Sequence, residues 1–205
     1  MSALAPAVSL AGRPDFGAIA SWVTPDASVL DLGCGDGLLL ASLEASRGAK
    51  GYGVEIDDAN VLACVRRGVN VIQGDLERGL QGFDAGSFDY VILSQTLQTM
   101  RHTEEIVLEM LRVGRQAIVT FPNFGHWQAR WAVAFGGRMP VSKTLPYQWY
   151  DTPNLHLCTV RDFEQFCADH SIRIRERIVL HEGRRVGWLP NLLGSLAVFR
   201  FEKQH

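Results

Sequence analysis

From Val29 to Gly37 the chain reads V-L-D-L-G-C-G-D-G. Apolar residues around one acid, then glycine at every second position, are the pattern of a buried strand that breaks into a tight loop and feeds a helix from about Leu38. Gly33, Gly35 and Gly37 can take positive φ and let a ligand approach the main chain where a Cβ would clash. The dinucleotide fingerprint is G-x-G-x-x-G, whereas the spacing here is G-x-G-x-G with Asp31 two residues before the first glycine. A carboxylate at that strand end suits a cationic amine, and Asp36 makes the loop a poor phosphate cradle. The ligand predicted is therefore an amino-acid-bearing nucleoside. Tyr52 to Ile56, Y-G-V-E-I, brings Glu55 to the next strand end of a βαβ unit, where a carboxylate can accept both ribose hydroxyls.

Further along come Gln73-Gly74-Asp75-Leu76 and Phe88-Asp89-Tyr90-Val91-Ile92. With V-L-D-L-G-C-G-D-G and G-V-E-I, these resemble the successive motifs of class I S-adenosylmethionine-dependent methyltransferases. The resemblance implies S-adenosylmethionine as cofactor and a binding set of Asp31, Gly33, Cys34, Gly35, Gly37, Glu55, Ile56, Asp75, Leu76 and Ser94. Within it Asp31 and Gly33 would face the methionyl group, Glu55 the ribose, and Asp75 with Leu76 the adenine. The structural alternative is Asp75 as a turn or cap residue.

The rest of the chain fits that frame. Its 205 residues suffice for one large core, and 47% hydrophobic with 20% charged residues describe an ordinary globule. A net charge of −2, with both signs interspersed, leaves no electrostatic footprint for nucleic acid. No apolar run approaches the ~20 residues that span a bilayer. The N-terminus lacks a signal peptide's basic start and long apolar core, so a cytoplasmic chain is expected. Cys34, Cys64, Cys158 and Cys167 form no C-x-x-C pair and read as buried thiols rather than a zinc site or disulfide.

Residues 1–13, rich in Ala and Pro, read as a flexible tail preceding a single domain over 14–205. Phe16, Ile19, Ala20 and Val23 recur at helical spacing ahead of the first strand. Asp57 and Asp58 cap a helix through Arg67, and Asn70 to Gln73 is a third strand. Phe88 to Leu93 is a fourth, apolar throughout and therefore central. Thr103 opens a helix through Leu111, closed by Gly114, and Gln116 to Phe121 is the fifth strand. Thr159 with Asp162 starts another helix, and Ile172 to Leu180 and Leu196 to Glu202 are the last two strands. The predicted fold is α/β: a Rossmann-like, doubly wound, seven-stranded and mostly parallel sheet whose last strand is antiparallel, with the ligand across the carboxyl ends of the strands.

An aromatic-rich insertion at about 122–158 is the most distinctive part of the sequence. It holds Trp127, Trp131, Tyr147, Trp149 and Tyr150. Such density either roofs a substrate pocket or makes a protein contact. Its strings T-F-P-N-F-G-H-W, G-R-M-P-V and W-Y-D-T-P-N-L-H, together with the preceding L-S-Q-T-L-Q, closely resemble the methionine biosynthesis protein MetW family. That resemblance implies a partnership with the homoserine O-acyltransferase MetX, in which this chain supports homoserine O-succinylation or acetylation. The alternative is an active methyltransferase acting on a small molecule, since in-line methyl transfer needs alignment more than acid or base groups. No catalytic residue declares itself. His126, His156 and Tyr150 are the candidates for a base, each of a type more often structural than catalytic, and Gln95 and Gln98 are placed to line the substrate side.

Overall fold

The computed structural model describes residues 13–204. In chain order its elements are α1 (Asp15–Trp22), β1 (Ser28–Leu32), α2 (Leu38–Arg47), β2 (Lys50–Glu55), α3 (Asp58–Arg67), β3 (Val71–Gln73), β4 (Phe88–Ser94), α4 (Thr103–Val113) and β5 (Gly114–Pro122). They continue with α5 (Trp127–Ala134), α6 (Val160–Asp169), β6 (Ile172–His181), β7 (Arg184–Arg185), α7 (Pro190–Leu193) and β8 (Leu196–Lys203). One sheet runs β3-β2-β1-β4-β5-β8-β6-β7, parallel from β3 through β5, with β8 antiparallel between β5 and β6.

The order reverses between β1 and β4. Strands β1, β2 and β3 build outward in one direction and β4 and β5 in the other, which opens a crevice at the carboxyl end of β1. That is where the glycine loop sits. Strand alternation sends Val29, Tyr90, Ile92, Ile118 and Val198 to a core under α1 and α2. Leu30, Val91, Leu93, Val119 and Phe199 go to the opposite core, under α4 and α6. Helices on both faces explain why these strands read as unbroken apolar runs.

The seven expected strands are present, β3 with only three residues, and the two-residue β7 adds an eighth, antiparallel to β6. Thr159 and Asp162 form the predicted capping box of α6, and Asp57 caps α3 through the Asn60 N–H. Gly114 closes α4 as expected, its N–H donating to the Met110 carbonyl, but it is extended (φ −105°) and also opens β5. A Cβ there would lie 2.7 Å from Val91 Cγ2, so glycine serves close strand approach. Of the predicted tail, residues 1–12 lie outside the described residues, and Arg13 is held by a side-chain network described below.

Gly53, in the middle of β2, is a position where size alone decides. A Cβ there would sit 2.3 Å from Cys34 Sγ and 2.9 Å from Cys34 Cβ. Gly53→Ala is expected to lower stability by about 2–3 kcal/mol in denaturant unfolding, the ordinary cost of overpacking. Cys34→Ala should recover part of that loss in the double variant, because it removes the nearer clash. Additive losses would contradict this account.

Candidate functional site at the carboxyl edge of the sheet

The loop after β1 is shaped by its glycines and tied down by Glu55. Gly33, Gly35 and Gly37 all have positive φ, at 66°, 55° and 76°. The Gly33 and Cys34 N–H groups donate to the Val54 carbonyl at 2.8 and 3.1 Å, fixing the loop to β2. Glu55 Oε2 accepts from the Gly35 N–H at 2.8 Å, and Oε1 accepts from Ile56 and Asp57 at 2.9 and 3.0 Å. A Cβ on Gly35 would meet nothing within 4 Å, so the loop crest faces open space. Asp36 turns away to pair with Arg67 at 2.6 Å.

Cys34 and Cys64 meet across the loop with sulfurs 3.8 Å apart, and Cys64 Sγ donates to the Gly35 carbonyl at 3.1 Å. Burial pushes both thiols up from their ordinary range, which keeps them protonated and unreactive. All four cysteines are free; Cys34, Cys64 and Cys167 are buried and Cys158 half-buried.

Asp31 closes the inner end of the site. It is 2% exposed, and its Oδ1 has no hydrogen-bond partner. Burial raises its pKa to about 7; the Arg13 charge opposes the rise, while Asp15 and Glu55 add to it. A buried carboxyl oxygen left unmatched in this way fits a ligand that brings a cation or donors.

Beside it lies a network that the sequence reading missed. Arg13 Nε and Nη2 donate to the two oxygens of Asp15 at 3.1 and 2.9 Å, and Nη2 also donates to Ser94 Oγ at 2.6 Å. Ser94 Oγ in turn donates to Asp15 Oδ2 at 2.7 Å, which Thr120 Oγ1 reaches at 3.2 Å. Burial works to raise the pKa of the fully buried Asp15, but Arg13 and Ser94 prevail and hold it below its ordinary value. The network anchors the start of α1 to the ends of β4 and β5. Ser94, predicted on the cofactor, thus has its hydroxyl committed to Arg13 and Asp15.

The remaining predicted residues divide between two regions. Asp75 ends the β3 exit, where its Oδ1 accepts from the Glu77 N–H at 3.0 Å, the capping role left open above. Leu76 is half-buried behind it, and Ile56 is 62% exposed next to Glu55. Gln95 leaves β4 at φ 55°, held by its N–H to Thr120. The Gln98 carbonyl accepts from Leu155 and His156, stitching the aromatic segment to the β4 exit. The three candidate bases are dispersed. Tyr150 is 69% exposed against Trp149, and His156 is exposed with Nε2 3.4 Å from the Arg101 carbonyl. Only His126 is buried.

Solved structures of similar shape include several S-adenosylmethionine-dependent methyltransferases and a [4+2]-cyclase. An S-adenosylmethionine-dependent methyltransferase from Mesorhizobium loti superposes with a TM-score of 0.70 at 13% identity, covering 95% of this chain and 100% of that one. One from Thermotoga maritima, described as a possible histamine N-methyltransferase, gives 0.67 at 17% identity over 95% and 90%. These likenesses establish the class I methyltransferase fold. In sequence, the chain is 38% identical over 191 residues to the bifunctional methionine biosynthesis protein MetXA/MetW of Rhodopirellula baltica. That match covers 87% of this chain but 31% of the relative, so the chain spans about a third of that protein's length. A family model described as methionine biosynthesis protein MetW matches residues 13–201. Nearly every element from α1 to β8 falls within that match, and the chain belongs to the MetW family of methionine biosynthesis proteins.

Proposed function

We propose that this chain binds S-adenosylmethionine and serves as the accessory subunit of a MetX-type homoserine O-acyltransferase, raising its rate of homoserine acylation. The observation that carries the reading is the Rhodopirellula baltica relative, whose name joins MetXA with MetW. Two activities held in one protein in one organism support association of the separate chains in another.

The surface supports a protein contact. Trp131, Phe135, Trp149 and Tyr150 are 61, 74, 74 and 69% exposed, and the Trp131 and Phe135 rings lie 4.3 Å apart on α5 and its exit. Exposed aromatic rings at this density mark binding surfaces, because their burial against a partner is strongly favourable. The aromatic segment is therefore assigned to the acyltransferase. Mixed with a MetX-type acyltransferase, this chain should co-elute in size exclusion. The Trp131→Ala, Trp149→Ala double variant should bind at least about tenfold more weakly, as loss of an aromatic anchor does. Separate elution of the native pair, or undiminished binding by the variant, would overturn the assignment.

The residues present fit the cofactor. Asp31 Oδ1 would take the methionyl ammonium, the open crest at Gly35 the sulfonium side, Glu55 the ribose hydroxyls, and Ile56, Asp75 and Leu76 the adenine end. When bound, S-adenosylmethionine supplies an electrophilic methyl group, and as a methionine-derived compound it can also act as a signal. Two ligands on one domain are coupled reciprocally, so its binding would tune the partner's affinity as the partner tunes its own. A second reading, methyl transfer to a small molecule, is favoured by the structural neighbours and needs only that acceptor and methyl be aligned.

A further inference from the structure

A cleft opens on the same edge of the sheet, on the β5–β8–β6 side, bordered by Pro14 and by Gln95 beside the Asp15 network. It has a volume of about 960 Å³, and its walls include Gln95, His126, Gln128, Lys143, His181 and Glu182. Topology brings its histidines together. β5 and β6 are each antiparallel to β8 and hence parallel to each other, so His181 at the end of β6 and His126 just past the end of β5 share one edge.

His126 is 5% exposed, and its Nε2 has no hydrogen-bond partner. Its ring stacks on His181 with centroids 4.9 Å apart and planes inclined by 24°. Burial and then the neighbouring His181 lower its pKa, so the ring is neutral near pH 7. Ser195 Oγ donates to the Leu180 carbonyl at 3.4 Å and lies 3.3 Å from His181 Nδ1. An unmatched buried nitrogen is unfavourable, and a ligand that pairs with it would recover that cost. A metal is a poor occupant: among the described residues no group of three or more His, Cys, Asp or Glu could hold one. Lys143 and Glu182 also line the cleft, as an exposed ion pair 3.1 Å apart. Opposite charges side by side complement a zwitterion, and a hydroxyl can satisfy an imidazole nitrogen in either tautomer.

We propose that this cleft binds a small hydroxyl-bearing α-amino acid, its hydroxyl against the His126–His181 pair and its charged groups at Lys143 and Glu182. The site goes beyond the function proposed above and depends on neither the partner nor S-adenosylmethionine. The test is a titration of the full-length chain with L-homoserine, L-serine and L-2-aminobutyrate, which lacks the hydroxyl, read from the imidazole nitrogen resonances. At least one hydroxy acid should shift the His126 and His181 rings to saturation. The 2-aminobutyrate should bind about tenfold or more weakly, the effect of one lost buried hydrogen bond. His126→Phe, checked for folding by its thermal melt, should abolish the His181 response. No ring shift with either hydroxy acid, equal binding of 2-aminobutyrate, or an undiminished His181 response in the folded variant would each overturn the proposal.

Discussion

Affinity for S-adenosylmethionine is expected to fall about tenfold for each pH unit below 7, a dependence set by Asp31. Its ordinary pKa is 3.8, and burial lifts it to about 7 in the fold. A cationic amine beside the unpaired Oδ1 favours the ionised form, so the complex holds one proton fewer than the free protein. Between pH 7 and 5 the ligand's own α-amino group stays protonated, since it titrates near ~8. The change in binding over that window therefore reports the protein. Calorimetric titrations at pH 5, 6 and 7 measure it directly, and Asp31→Asn should bind weakly and flatly across the range. The same residue carries an opposite effect on folding. With the folded pKa above the unfolded one, its stabilising contribution is complete below pH ~4 and lost as pH rises through 7. Asp31→Asn, neutral throughout, should therefore melt at a higher temperature than the native chain at pH 8. A native affinity independent of pH from 5 to 7 would remove Asp31 from the ligand.

Glu55→Ala is expected to lower folding stability by ~2–4 kcal/mol and to weaken S-adenosylmethionine binding tenfold to a hundredfold. The two losses have different sources. Glu55 is 8% exposed and its carboxylate accepts from the Gly35, Ile56 and Asp57 N–H groups. Alanine strands those donors and releases the loop crest at Gly35, which appears in denaturant unfolding without ligand. It also removes the acceptor proposed for the ribose, which appears as lost affinity. Glu55→Gln keeps the side chain's shape but turns one acceptor into a donor facing a backbone N–H, so both losses should be intermediate. Unchanged affinity in a folded Glu55→Ala chain would leave the carboxylate a purely structural role.

Much of this site was legible in the sequence because it rests on local rules. Glycine spacing after an apolar strand requires a loop of this shape, and Glu55 follows at the βαβ interval. The Thr159 and Asp162 pair is a capping box readable within four residues. What escaped depends on chain contacts over long separations. Arg13 falls in the predicted tail, and nothing near Asp15 in sequence announces its partners. Their roles appear only when β4 and β5 bring Ser94 and Thr120 against them. The hydroxyl partners of Ser94 were hidden for the same reason, since they arrive from the other end of the fold. His181 carries no local sign at all: it became part of a site because β8 lies between β5 and β6 and aligns their carboxyl ends. Gly114 reads correctly as a helix stop in sequence, but its close approach to Val91 of β4 does not show there.

The central claim, that this chain is an S-adenosylmethionine-binding subunit that activates an acyltransferase, is tested most directly by the rate of homoserine acylation by a purified MetX-type enzyme. The rate is measured with and without this chain, at increasing S-adenosylmethionine. The account predicts a large gain on adding the chain and a further change in that gain with S-adenosylmethionine, lost in Glu55→Ala. An acylation rate indifferent to the chain at every S-adenosylmethionine concentration would contradict it.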